Sequence, residues 1–332
     1  MTNKKKLVTG GAGYIGSHAT LALLGSGYKV VVLDNLSAGN RALVPADAVF
    51  IEGDAGDQGL VRNIIREHKI DAVMHFAGSI VVEESMTEPL KYYRNNTVVS
   101  LNLIETCVEE KVNNFIFSST AAVYGNPEKI PVTEDAAKAP INPYGESKAM
   151  TEAVLRDANH ANPEFNYIAL RYFNVSGADP ECRSGQMTKQ STHLIKVACE
   201  LATGKRKSMT VFGTDYDTRD GTCIRDFIHV SDLAEVHVKA LEYLEKNRKS
   251  KIINCGYGQG YSVRETLDAL QSLVDQPLNI SNGARRAGDP AMLVSDNSLL
   301  RSLIDWTPKY NDISVILSNA LAWEEHLSKL QN

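Results

Sequence analysis

A phenol, an ammonium and a run of hydroxyls carry the chemistry this sequence offers. Tyr144-Gly145-Glu146-Ser147-Lys148 opens a helical pattern just after Pro143, and residues four apart share one helical face. Among thirteen tyrosines, only Tyr144 has a lysine four positions later. Ser118-Ser119-Thr120 ends an apolar, strand-like run and brings a hydroxyl from the same face of the sheet. An isolated phenol titrates near about 10, and adjacent positive charge favours its ionised form. Lowering it by about three units takes roughly 4 kcal/mol, which a desolvated pocket can supply and a wet surface cannot. Tyr-x-x-x-Lys by itself arises by chance on amphipathic helices. Beside a hydroxyl and a nicotinamide it makes an alcohol-oxidising site.

Such a site needs a hydride acceptor, and the stretch Leu7–His18 supplies the place for one. Gly11, Gly13 and Gly16 read as G-x-G-x-x-G, with Gly10 in front, between a short apolar run and a helical pattern. The glycines allow a sharp turn, close approach to a pyrophosphate and tight helix–sheet packing. The pyrophosphate then sits on free N–H groups at the helix start. A second apolar run, Tyr28–Leu33, ends in Asp34, eighteen residues after Gly16. A carboxylate there binds both ribose hydroxyls and repels a 2′-phosphate, so the expected cofactor is NAD. A glycine turn followed by a capping Asp is the plainer alternative.

The elements that must position these groups alternate. Candidate strands are Lys6–Thr9, Lys29–Leu33, Ala48–Glu52, Ala72–Phe76, Asn114–Ser118 and Asn166–Arg171, with helical patterns at Gln58–His68, Thr97–Glu110 and Gly145–Ala161. This spacing implies βαβ units, and ligands bind beyond the carboxyl ends of such strands. The expected fold class is α/β, a Rossmann-type doubly wound parallel sheet with a smaller C-terminal α/β substrate lobe. The expected division is an NAD-binding domain over 1–175, with a returning segment near 223–255, and a sugar lobe from 176–222 and 256–332.

In the second half, Val175–Gln190 and Thr214–Thr222 read as loops. A helix is expected at Thr192–Ala202, a strand at Met209–Phe212 and a short strand at Asp226–Val230. Ser231–Lys246 reads as a helix capped by Ser231 or Asp232. Lys251–Cys255 reads as a strand, Ser262 to Glu265 as a capping box, Arg285–Pro290 as a turn and Ile313–Leu330 as a closing helix.

A chain of 332 residues with net charge −5 argues against a nucleic-acid partner, and no apolar run is long enough to cross a bilayer. Lys4–Lys6 and Lys205–Lys207 read as solvated basic faces. Five cysteines without C-x-x-C and eight histidines without ligand spacing argue against a disulfide framework or any metal site. The glycine loop interrupts any signal-peptide core, so the expected location is cytoplasmic.

Thr-Gly-Gly-Ala-Gly-Tyr-Ile-Gly, Leu-Asp-Asn, Phe-Ala-Gly, Tyr-Tyr-x-Asn-Asn, Phe-Ser-Ser-Thr-Ala-Ala-Val-Tyr-Gly, Pro-Tyr-Gly-x-Ser-Lys and Arg-Tyr-Phe-Asn resemble the extended short-chain dehydrogenase/reductases. Asp220–Val230 and Arg285–Asp289 are similar to the UDP-glucose (UDP-galactose) 4-epimerases among them. The resemblance spans nearly the whole chain. It implies hydride removal from sugar C4 and its return to the opposite face. In that role Tyr144 takes the C4 hydroxyl proton, Thr120 hydrogen-bonds that oxygen, and Lys148 binds the nicotinamide ribose and lowers the Tyr144 pKa. Cofactor contacts are implied for Gly10, Gly13, Tyr14, Ile15, Gly16, Asp34, Asn35, Asp54, Ala55, Phe76, Ala77, Asn95, Ser118, Tyr144, Lys148 and Tyr172. Contacts to a UDP-hexose are implied for Thr120, Tyr144, Phe173, Asn174, His193, Leu194, Phe212, Arg225, Arg286, Asp289 and Leu293, with the arginines on the diphosphate side. By itself the Arg285-Arg286 pair reads equally as an ordinary surface pair. A homodimer through the helices near Thr97–Glu110 and Gly145–Ala161 is also implied.

Two residues depart from the family pattern. Ile80 stands where many members carry a lysine that reaches the cofactor. Leu293 stands where some carry a tyrosine, which implies tolerance for UDP-N-acetylhexosamines. The related dehydratases place Asp-Glu after the strand-end threonine, and the related decarboxylases keep a glutamate there. Ala121-Ala122 can transfer no proton, which disfavours elimination. Epimerases of UDP-glucuronate or UDP-pentoses would share nearly all these residues. A non-catalytic NAD sensor is a different class of function, and it has no need of the Tyr144/Lys148 pair.

Overall fold

The computed structural model describes residues 5–188, 191–286 and 289–330. Lys4 of the first basic cluster, the end of the Val175–Gln190 loop and the middle of the Arg285–Pro290 turn lie outside them. Thirteen strands occur among the described residues. The first six are β1 (Lys5–Thr9), β2 (Lys29–Asp34), β3 (Val49–Glu52), β4 (Ile70–His75), β5 (Asn114–Thr120) and β6 (Asn166–Tyr172). Then come β7 (Asn174–Ser176), β8 (Met209–Phe212), β9 (Ile224–His229), β10 (Lys251–Cys255), β11 (Gly260–Ser262), β12 (Ile280–Gly283) and β13 (Met292–Leu293). The helices are α1 (Tyr14–Gly25), α2 (Gln58–His68), α3 (Val82–Thr87), α4 (Pro89–Tyr92), α5 (Val99–Glu109) and α6 (Pro143–Ala161). They continue with α7 (Leu194–Ala202), α8 (Val230–Asn247), α9 (Val263–Gln271), α10 (Ser298–Leu303) and α11 (Ile313–Leu330).

Seven strands form one sheet in the order β10-β6-β5-β4-β1-β2-β3, every pairing parallel. Successive side chains on a strand face opposite sides, so each strand feeds two cores. Val8, Val30, Val32, Ala72, Met74, Ile116, Ile168 and Leu170 join one cluster, with Leu23 of α1 and Leu233, Val236 and Leu241 of α8. Leu7, Val31, Leu33, Val73, Phe115, Phe117 and Ala169 join the other, with Ile64 of α2, Leu103 of α5 and Leu155 of α6. Winding reverses on either side of β1, which opens a crevice past the carboxyl ends of β1 and β4. The backbones following those two strands touch there: a Cβ on Gly10, whose φ is +72°, would lie 2.5 Å from the Ala77 nitrogen.

The smaller sheets follow β6. β9 pairs with β7, β11 and β13, and β8 pairs with β12. Ser262 and Glu265 form the expected capping box at α9. The cap of α8 differs from expectation: His229, one residue earlier than the helix, accepts from the Ser231 N–H. Asp232 is buried and instead takes the backbone N–H groups of Lys309 and Tyr310 and the Tyr257 hydroxyl. The helix expected from Thr97 begins as a wider π turn over Tyr93–Val98.

Candidate active site

The glycine loop forms a cradle that side chains would fill. A Cβ on Gly16 would lie 2.2 Å from the Gly10 carbonyl oxygen. Gly13 caps α1 without a side-chain hydrogen bond, so the first-turn N–H groups have no built-in acceptor and suit an anion. At the end of β2, Asp34 accepts from the N–H groups of Ala12 (2.9 Å) and Leu36 (2.8 Å). Asn35 donates to Asp54 at 3.2 Å, and Ala55 beside it is buried. Asn95 donates to the Ser79 hydroxyl at 3.0 Å, tying down the loop that follows Phe76 and Ala77. Phe76 packs on His237 at 4.9 Å, and the Tyr172 hydroxyl bonds to His237 Nε2. Ile15 packs into the core, whereas Tyr14 donates its hydroxyl to the Gly177 carbonyl at 2.6 Å and so joins the glycine loop to the chain just after β7.

Thr120 and Tyr144 meet because α6 starts very close to the end of β5. Asn142 caps α6 by accepting from the Gly145 N–H at 2.8 Å, with Pro143 in the first turn. A Cβ on Gly145 would lie 2.5 Å from the Ala122 carbonyl oxygen, so only glycine permits this approach. Thr120 is then the hydrogen-bond partner of the Tyr144 phenol. Desolvation pushes that phenol above its usual 10, and the Thr120 bond opposes the shift. Lys148 is buried, which pulls it down to about 8. Its ammonium donates to the Ser118 carbonyl at 2.9 Å and lies 4.9 Å from the Phe117 ring centre. Burial therefore outweighs the Thr120 hydrogen bond, and the phenolate, expected beside both an ammonium and a nicotinamide cation, is not favoured by these residues alone. A resident cation is needed to tip the balance.

On the opposite side, β13 sets Leu293 in register with Arg225 of β9. Leu293 packs against the apolar cluster that contains Ala121, Val123, Tyr124, Val132 and Phe173. Arg225 pairs with Asp289 at 3.4 Å. Arg286 lies over the Phe212 ring at 4.1 Å and reaches Glu83 of α3 at 3.5 Å. Its neighbour Arg285 turns away, to Asp215 at 2.8 Å and the Tyr216 ring at 4.3 Å. Asn174 pairs with Phe227 across β7 and β9. His193 and Leu194 open α7, where His193 bonds to Gln186 and Ser191 of its own loop. Ile80 is exposed.

Residues 6–256 match the NAD dependent epimerase/dehydratase family. The chain belongs to this family. A UDP-glucose 4-epimerase of Azospirillum brasilense is 52% identical over 97% of this chain and 92% of its own length. The solved UDP-glucose 4-epimerase from Brucella ovis in complex with NAD is 42% identical, with a TM-score of 0.93 over 96% of this chain and 98% of that one. The UDP-Glc/GlcNAc 4-epimerase from Campylobacter jejuni is 50% identical, with a TM-score of 0.85 over 97% and 99%.

This epimerase/dehydratase family member also uses residues that sequence reasoning passed over. Tyr92 stands edge-on to Tyr144 at 6.4 Å and is held by Glu84 at 2.8 Å. Asn96 takes the Ser79 N–H at 2.7 Å and donates to the Ser147 hydroxyl at 2.9 Å, fastening the loop after β4 to α6. Both belong to the Tyr-Tyr-x-Asn-Asn stretch, where the paired amides were the available signal. No His, Cys, Asp and Glu group that could hold a metal occurs among the described residues, and no described helix is long and apolar enough to cross a membrane.

Proposed function

We propose that the chain interconverts UDP-galactose and UDP-glucose by epimerising sugar C4, with NAD as resident cofactor. The observation that carries this reading is the Thr120–Tyr144 pair, with Lys148 one turn beyond Tyr144 and two alanines, Ala121 and Ala122, directly after Thr120. An oxidising pair with no adjacent acid returns its product rather than dehydrating it. The cradle fits NAD: the closed glycine turn, the uncapped start of α1 and Asp34 at the end of β2 match a pyrophosphate and a ribose diol. Gly10, Gly13 and Gly16, with Asp34, Asn35, Asp54 and Asn95, would hold it, and Lys148 would meet its nicotinamide ribose. When bound, NAD would supply the hydride acceptor and donor for C4, and its positive ring would favour the phenolate.

Tyr144 removes the C4 hydroxyl proton and later returns it, while Thr120 donates to the same oxygen. Arg225 and Arg286 grip the diphosphate, and Phe212 offers a flat face beside them. The anchored diphosphate lets the ketone intermediate turn over between the two hydride transfers. The test is incubation with a panel of UDP-hexoses, with products resolved by chromatography. Conversion of UDP-galactose to UDP-glucose supports the reading, and a protein that holds NAD yet converts none of the panel overturns it.

A second reading extends the substrates to UDP-N-acetylhexosamines. Leu293, shorter than tyrosine, lines the Phe173 side, and the Campylobacter jejuni relative is named for both sugar classes. The proposed division gives the cofactor to 1–175 with the returning 223–255, and the sugar to 176–222 and 256–332. Strand β10, at the edge of the large sheet beside β6, supports that return, while β9 of the same segment pairs with β7, β11 and β13. We place the enzyme in the cytoplasm as a homodimer. Five free thiols suit a reducing compartment, and Val98, Leu101 and Met150 leave apolar surface on the π turn, α5 and α6.

A further inference from the structure

Tyr144, Lys148 and Glu152 form one stripe of α6 at spacings of four. Glu152 is buried, and its carboxylate accepts from the Ser119 hydroxyl at 2.6 Å and from Arg171 Nε and Nη2 at 2.9 and 2.7 Å. Lys138 approaches it at 3.6 Å. Ser119 stands between Ser118, whose carbonyl holds Lys148, and Thr120, which faces Tyr144. Glu152 thus fixes the span between the helix that carries the phenol and the strand that carries the hydroxyl.

The network continues beyond Arg171. Its Nη1 donates to the Tyr124 hydroxyl at 2.7 Å and to the Glu134 carbonyl at 3.2 Å. Tyr124 donates to Asn254 Oδ1 at 2.6 Å, and Asn254 Nδ2 donates to the Val132 carbonyl at 2.8 Å. The Val132 N–H donates to the Val294 carbonyl at 2.8 Å, next to Leu293. Bonded groups therefore run without a break from the end of β5 to Val294, the residue directly after β13. A buried ion pair is a weak source of net stability, because desolvation offsets most of its attraction. What it adds here is fixed geometry: every oxygen of Glu152 and every nitrogen of Arg171 has a partner.

We propose that Glu152 is a positioning residue for the epimerisation: through Ser119 it sets Thr120 against Tyr144, and through Arg171 and Tyr124 it sets the β13 segment against the sugar. This inference rests on the proposed function. Glu152→Ala would leave a buried guanidinium without its partner and threaten the fold, so milder variants test it. Ser119→Ala cuts only the tie to the strand end, and Tyr124→Phe cuts only the tie to the lobe. Steady-state kinetics of the NAD-loaded enzyme on UDP-galactose, with melting temperatures, give the readout.

The expected result is a split. Ser119→Ala lowers kcat about tenfold while KM stays within twofold, a loss smaller than the roughly 10²–10⁴ of removing a proton-transfer group outright. Tyr124→Phe raises KM severalfold with kcat kept. Both variants melting lower with kcat and KM unchanged would show a purely structural network and overturn the proposal. An unmodified protein inactive on UDP-hexoses overturns the proposed function instead, so the two failures are distinguishable.

Discussion

The proposed cofactor half and the proposed sugar lobe are built in opposite ways. The first is one seven-stranded parallel sheet with a core on each face, and its candidate residues sit at strand ends in chain order. The second is assembled from strands of two to four residues drawn from distant parts of the chain, and β9, from the returning segment, holds β7, β11 and β13. Position in the first half follows from local pattern, and position in the second follows from long-range pairing. Changes in the sheet should therefore act on cofactor and fold together, whereas changes in the lobe should alter sugar choice alone.

The largest effect is expected from Gly16→Ala. The new Cβ meets the Gly10 carbonyl, a backbone atom that cannot swing aside. Overpacking of this kind costs about 3 kcal/mol, or a drop in Tm of roughly 5 °C or more. NAD retention, read by absorbance of the purified protein, should be lost with it. Retained NAD at an unchanged Tm would break the comparison on the cofactor side.

Leu293→Tyr sharpens the other side. NAD content should stay as it is, while the ratio of activity on UDP-N-acetylhexosamines to that on UDP-hexoses falls about tenfold, the discrimination a few atoms can impose. An unchanged ratio would remove Leu293 from the sugar contacts.

The smallest effect is a pH dependence of the cofactor-free protein. Burial holds Lys148 at about 8, below the unfolded lysine value. Above that pH the unfolded chain binds the extra proton, so this group's contribution to stability rises with pH. Between pH 8 and 9.5, melting curves should show the unmodified protein gaining on Lys148→Met. A constant gap would mean that Lys148 is not desolvated.

The same contrast explains what was legible in the sequence. Glycines, β-branched runs and Asp34 placed the cofactor half to within a residue or two, because parallel buried strands leave a strong apolar signature. Tyr144 and Lys148 stood out by their spacing and the Ser118–Thr120 run by its place at a strand end, whereas the choice of Thr120 within that run came from the family resemblance. Strands β7, β11 and β13 were not, since two or three residues show no period. Neither was the His229 cap, a rare cap side chain standing where two commoner ones follow. Gly145 was passed over because its role is a close approach to Ala122 and not a turn. Spacing reveals the charge beside Tyr144 but not how far burial raises the phenol before the cofactor's positive ring is in place. Glu83 beside Arg286 lies about two hundred positions away in sequence, beyond any local pattern.

The central claim is that Tyr144 moves the proton while its sugar is oxidised and reduced in place. Tyr144→Phe keeps the ring and the Tyr92 contact, so the folded, NAD-loaded variant isolates the hydroxyl. Conversion of UDP-galactose to UDP-glucose should fall by about 10²–10⁴. A variant that keeps NAD and converts the sugar at the unmodified rate would contradict the account.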